Sequence, residues 1–255
     1  MRFTHASFLL LIGSMLSLTA SAEEHPRLFL TPPKVAEIRK AIQTKDSHHG
    51  EAFGALKSWV DTKGRQPHDP ASKNWNYDRA YMARGAALVH VITGEKKYAD
   101  LAFDVLKDVH DKPDPDRRMP DEVKTYGLAK ATVGEGFALA YDWCYNTWTQ
   151  DQRDYIKQVL KRSLDVWPKY GHSQLQVERG SNWAAVCRGA ELVMMLAVYE
   201  DRARADRRKY LIGQLQRHMA ITYGPGGLSQ EGIGYTGYGG IYLLEACYAL
   251  ADAGD

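Results

Sequence analysis

The sequence is short of the features that announce an enzyme class outright. It has no H-E-x-x-H, no G-x-x-x-x-G-K-S/T, no G-x-S-x-G, and no G-x-G-x-x-G that opens a helix after a strand. Zincin, P-loop, nucleophile-elbow and dinucleotide-binding chemistries therefore have no footing in it. Cysteine is scarce too. Cys144, Cys187 and Cys247 stand in apolar, mid-helix contexts without CxxC spacing. They read as small buried thiols; one disulfide stays open in an oxidising compartment, and a metal site built from them is not expected. Charge of one sign is also missing. A formal net charge of +2 excludes the basic field of a nucleic-acid binder and leaves any anionic substrate to local charge. No stretch shows the period-2 alternation of a half-buried strand.

The one long apolar run lies at the start. Arg2 precedes "FLLLIGSMLSL", which is too short to span a bilayer, and Ala20, Ser21 and Ala22 form a small-residue cleavage site. Residues 1–22 are thus expected to be a signal peptide cut after Ala22. The mature chain, 23–255, would be periplasmic or secreted, with no membrane insertion. Losing Arg2 takes the net charge from +2 to +1.

What is present has a helical period almost throughout. "PPKVAEIRKAI" puts Val35, Ile38 and Ile42 on one stripe behind two prolines. A helix near 49–62 follows, then one carrying Ala80, Ala83, Ala87 and Val91 that should stop at Gly94. Further helices are expected over 96–109, 124–148 and 149–167, the last opened by a Thr149/Gln152 capping box. After a polar loop, Ser181 should cap a helix whose buried face is Trp183, Val186, Cys187, Ala190, Met194 and Ala197. Another helix runs over 204–223, and a final one begins near Tyr238. The spacing predicts antiparallel helical hairpins packed side by side, as in an (α/α) toroid or an α-solenoid. The last helix has no partner to return along it, so the chain reads as the front part of a longer protein.

Several polar groups have bland readings: Asp114 and Asp116 in a Pro-rich loop, Asp142 on a helix, and the solvated run Arg202, Arg204, Arg207 and Arg208. Two stretches stand out. "RGSNWAAVCRG" places Asn182 in the first turn of a helix, where free N–H groups and the positive dipole end suit a carboxylate; Asn182 is either a ligand donor or simply part of the cap. Trp183 is either core or a stacking platform. "GPGGLSQEGIGYTGYGG" sets Tyr235 and Tyr238 three apart in a Gly-rich loop, sharing a face if the segment winds into a helix.

"HPRLFLTPPKVAEIRKAI", "AYDWCYNTWTQDQRDYI", "SNWAAVCRGAEL" and "GGLSQEGIGYTGYGGIYLL" resemble, in this order, the heparinase II/III-like polysaccharide lyases, relatives of alginate lyases. The resemblance spans residues 25 to 252. It implies an all-α, incomplete (α/α) toroid, followed in the family by β-sheet domains of an α + β-sandwich protein. It also implies β-elimination on an acidic, uronic-acid-containing polysaccharide, with no cofactor and no metal. Asn182 would meet the uronate carboxylate. A loop tyrosine, Tyr238 or its neighbour Tyr235, would serve as acid and in some members as base. A basic tyrosine needs a cation, for which Arg179 and Arg188 are candidates. Many members carry His after the Asn, where this chain has Trp183; His172 and His218 are the alternatives. Glu231 joins Trp183, Arg188, His172 and Arg179 as candidate substrate-binding residues. Two other readings remain open: a glycoside hydrolase using Asp142 and Glu231, and a non-catalytic carbohydrate-binding protein using Trp75, Trp183 and the tyrosines.

Overall fold

The computed structural model describes residues 25–44, 47–66, 75–111, 127–167, 176–199, 204–224 and 229–253. The expected signal peptide, Asp114, Asp116, His172, Arg202 and the Trp75 side chain lie outside the described residues. Among those described, the regular elements are nine α-helices and one 3-10 turn, with no strand, as the helical period requires. The helices are α1 Pro32–Gln43, α2 His48–Lys63, α3 Trp75–Thr93, α4 Lys96–Asp111 and α5 Leu128–Cys144. They continue as α6 Gln150–Val166, α7 Asn182–Val198, α8 Ala205–Thr222 and α9 Ile233–Asp252.

Local sequence sets most of these ends. Thr149 Oγ1 accepts from the Gln152 N–H at 3.3 Å, and the Thr149 N–H donates to Gln152 Oε1 at 2.9 Å, the reciprocal pair of a capping box. Gly94 stops α3 in the left-handed region at φ +76°, its N–H donating to the His90 carbonyl at 2.7 Å. Ser181 caps α7 by accepting from the Trp183 N–H at 3.4 Å.

Packing then departs from the simple amphipathic picture. In α5 and in α7, 15 of 17 residues are buried, so both are central helices enclosed on all sides rather than on one face. Residues that meet across helices fix their sense. Arg79 pairs with Asp108 at 3.8 Å while His90 meets the Glu95 carbonyl at 3.2 Å, so α3 and α4 run in opposite senses. Arg207 grips Glu191 while Gly180 lies near Thr222, which gives the same relation for α7 and α8. Glu191 is fully buried and accepts from Arg207 at 2.7 and 2.9 Å. Arg207 is thus a core ion-pair partner, not the solvated surface charge its Arg-rich neighbourhood suggested. Cys144 and Cys187 are buried, whereas Cys247 is exposed, against expectation, and all three are free thiols.

Two features hold the ends of this core. Asp142, fully buried, accepts from His25 Nδ1 at 2.6 Å and from the Arg27 and Leu28 N–H groups at 3.0 and 2.9 Å. The Arg27 guanidinium then donates to the Leu196 and Ala197 carbonyls at the end of α7. The N-terminal segment is therefore tied to both central helices. At the other side, α9 begins at Ile233, five residues ahead of the expected Tyr238. Interior glycines cost about 1 kcal/mol each relative to alanine, so packing on α7 has to outweigh the local preference. Gly239 makes that packing possible: a Cβ there would stand 3.3 Å from Asn182 Cβ and 3.5 Å from Ala185 Cβ. Gly189 does the same from α7, where a Cβ would lie 2.8 Å from the Tyr242 carbonyl oxygen.

Asp142→Ala strands three donors and should lower unfolding free energy by roughly 2–4 kcal/mol in urea titrations; a change below about 0.5 kcal/mol would contradict the tether. Gly237 faces open space, so Gly237→Ala should raise stability by about 0.5–1 kcal/mol in the same measurement, and a loss would show that its surroundings are not open.

Candidate functional site

The N-terminus of α7 is the first part of the site. Asn182 is the first helical residue and only 5% exposed. The carboxylate expected at this helix end is present, and the chain supplies it. Glu231 Oε2 accepts from the Asn182 backbone N–H at 2.5 Å and from Asn182 Nδ2 at 2.9 Å. A negative charge is favoured there by the free N–H groups and the helix dipole. Asn182 Oδ1 is buried and meets no partner among the described residues. Glu231 also acts on His218, which is buried and bonded to Thr222 Oγ1 at 3.0 Å. Burial pushes the His218 imidazole below its ordinary range, and the Glu231 charge opposes this.

The second part comes from α9. Gly239 rests on Asn182, so the preceding Tyr238 stands beside the α7 N-terminus, half-buried against the core. Its ring meets that of Tyr242 edge-on at 5.7 Å. Burial, with the neighbouring Tyr77 phenol, pushes the Tyr238 phenol up to about 12. Thr132 of α5 stands within hydrogen-bonding reach of Tyr238 and bonds the Tyr242 phenol at 2.6 Å. Tyr242 in turn reaches Tyr81 of α3, which is 44% exposed. Hydroxyl groups thus run from Tyr238 through Thr132 and Tyr242 to Tyr81.

Beneath them lies a charged triad. Arg84 of α3 reaches Glu135 Oε2 at 3.5 Å and pairs closely with Glu245. Burial, with the nearby Glu245 charge, raises Glu135 well above the usual carboxylate range, and the Arg84 guanidinium opposes this. Tyr242 is likewise raised by burial and then by Glu135.

Of the residues singled out from the sequence, Asn182 and Glu231 are bonded to each other, and Tyr238 precedes the glycine of α9 that rests on Asn182. Tyr235 is on the same helix but 55% exposed. Trp183 packs against the core, its ring near Gly127, so it is not an open platform. Arg188 is directed toward α8, donating to Glu191 at 3.3 Å and lying 5.7 Å from the Tyr210 ring. Arg179 is exposed and donates to Gln176 at 3.4 Å. The groups that act on the Tyr238 phenol besides burial are Tyr77, Thr132, Tyr81 and Cys187. The Asp142–Glu231 pair is also corrected. Glu231 sits at the start of α7, while Asp142 is bridged through Arg27 to Leu196 near its end. At 1.5 Å per residue these ends lie on the order of 20 Å apart, far beyond the 5–9.5 Å or so of a glycosidase pair.

Tyr81, Arg84, Thr132, Glu135, Tyr242 and Glu245 went unnoticed in the sequence. A signal did exist. Tyr77, Tyr81 and Arg84 on α3, and Tyr238, Tyr242 and Glu245 on α9, both follow i, i+4, i+7 spacing, a polar stripe along one helical face. Gly232, Gly234 and Gly237 give G-x-G-x-x-G spacing at the start of α9, but among the described residues no strand precedes it, as a dinucleotide fingerprint would require.

Folded His218 releases its proton more readily than a free imidazole near 6.5. The unfolded chain therefore binds more protons, and the stability His218 contributes is full above 6.5 and lost as pH falls through the folded value. An NMR titration should place its midpoint below 6.5, and Glu231→Gln should lower the midpoint further; an upward shift would show that the Glu231 charge does not reach it. Comparison of the chain with protein-family models gives no match, and comparison with curated proteins gives none at a significant level.

Proposed function

We propose that this chain is a periplasmic or secreted polysaccharide lyase that cleaves a uronic-acid-containing polysaccharide by β-elimination on an incomplete (α/α) toroid of antiparallel helical hairpins. The observation that carries the reading is the packing of Gly239 on Asn182, which sets the turn of α9 that bears Tyr238 against an anion-favouring helix terminus. The opposite senses of α3 with α4 and of α7 with α8 support the hairpin arrangement. Export rests on the signal-like residues 1–22.

Elimination needs three things. The uronate carboxylate must be neutralised so that C5–H becomes acidic, a base must take that proton, and an acid must protonate O4 as the C4–O4 bond breaks and C4=C5 forms. Asn182 and the α7 N-terminus suit the first task. Tyr238, held at about 12, is a protonated phenol at neutral pH and suits the third. On donating to O4 it becomes a phenolate, which the Thr132 hydroxyl favours and which a proton from solvent restores. Tyr235, less than one turn ahead and exposed, is the second phenol at this end of α9.

The test is a screen against alginate, heparin-type, chondroitin-type and ulvan-type polymers for products with the ultraviolet absorbance of a C4–C5 double bond. Tyr238→Phe should lower turnover by about 10²–10⁴-fold with an unchanged circular dichroism spectrum. Full activity in that variant, or no unsaturated product from any uronic-acid polymer, would sink the reading.

A further inference from the structure

The turn between α8 and α9 carries a carboxylate into the position that the proposed reaction reserves for the substrate. Glu231 Oε2 draws two donors onto one oxygen, the Asn182 N–H at 2.5 Å and Asn182 Nδ2 at 2.9 Å. One is a free N–H of the first turn of a 17-residue helix, the other a neutral side-chain amide. Convergent donors at a dipole end make an anion position. The other end of that amide, Oδ1, is buried and has no partner among the described residues, in a residue that is 5% exposed. Glu231 itself is exposed. It is held by a short turn in which its N–H donates to Ser229 Oγ at 3.2 Å, and Gly232 follows at φ +89°. Rotation of the Glu231 side chain into solvent would uncover both donors without unwinding α7 or α9.

We propose that Glu231 is an intramolecular stand-in for a substrate carboxylate, a specificity-determining residue that a sugar carboxylate must displace from the N-terminus of α7. This rests on the reading of Asn182 as the carboxylate subsite. Two carboxylates cannot share the same pair of donors without mutual repulsion, so occupancy is competitive. A neutral sugar finds the donors taken and has no charge with which to compete for the helix end. A uronate competes on equal terms, and a polymer with several contacts elsewhere in the cleft competes better than a single sugar. Glu231 thus keeps small anions off the site while admitting a chain held at more than one point.

The experiment is an equilibrium titration of the full chain with D-glucuronate, and with D-glucose as the neutral control, following the Asn182 and Trp183 backbone amides by NMR. Glu231→Gln keeps the side-chain shape and an oxygen acceptor but removes the charge. Glu231→Ala removes the competitor altogether. Both should bind glucuronate about tenfold more tightly than the unaltered chain, the scale of a charge-assisted contact at a helix end, with glucose unaffected. Glucuronate binding that is unchanged or weaker in Glu231→Gln would overturn the proposal, since a residue that merely positions Asn182 would weaken it. If Glu231→Ala loses its helical circular dichroism, Glu231→Gln decides alone. The outcome separates from the lyase reading. Tighter glucuronate binding without an unsaturated product from any polymer leaves the stand-in intact and removes the lyase. Product formation with no gain in binding does the reverse.

Discussion

The close approach of α9 to α7 governs everything around the candidate site. Gly239 and Gly189 have no side chains to keep the two helices apart, and a Cβ at either position would press on Asn182, Ala185 or the Tyr242 backbone. That single contact brings Tyr238 to the start of α7 and lets Tyr242 reach Thr132 on α5. It also carries Glu245 to Arg84 on α3. If α9 were displaced by the width of a methyl group, the phenols, the hydroxyl run and the charged triad would all lose register together.

The electrostatics of these groups follow from how deeply each is then placed. Glu135 is enclosed beside another carboxylate and is raised well above the usual carboxylate range, while Arg84 pairs with both. Tyr238 lies among phenols rather than cations, so burial holds its proton in place. Glu231 is exposed yet bonded to the α7 terminus, so its charge is stabilised by donors and dipole instead of by an ion pair. A phenol that keeps its proton and a helix terminus already bonded to a carboxylate of the chain are the two results.

Parts of this were legible in the residues. The Thr149 box and the Gly94 stop are local rules and hold as read. Asn182 at a helix start and Tyr238 in the Gly-rich stretch were both identifiable from spacing. The run Gly234–Gly240 was misleading, because glycine propensity argues for a loop and only the packing of α9 on α7 makes it helix. Arg207 looked like surface charge because its partner, Glu191, is sixteen residues earlier on another helix. Arg188 turns toward Glu191 and the Tyr210 ring of α8, a direction that sequence distance does not give.

The sequence by itself determined the helical class, most helix ends and the two stretches that meet at the site, because period, caps and turn residues act within a few positions of one another. Only the tertiary structure decided that α5 and α7 are enclosed on every side, that Asp142 ties down the N-terminal segment, and that Glu231 reaches Asn182 across forty-nine residues. Those outcomes depend on which surfaces can approach without a Cβ between them and which buried charges find partners. Such questions are settled by the packed chain as a whole, since burial and pairing energies belong to contacts between distant segments.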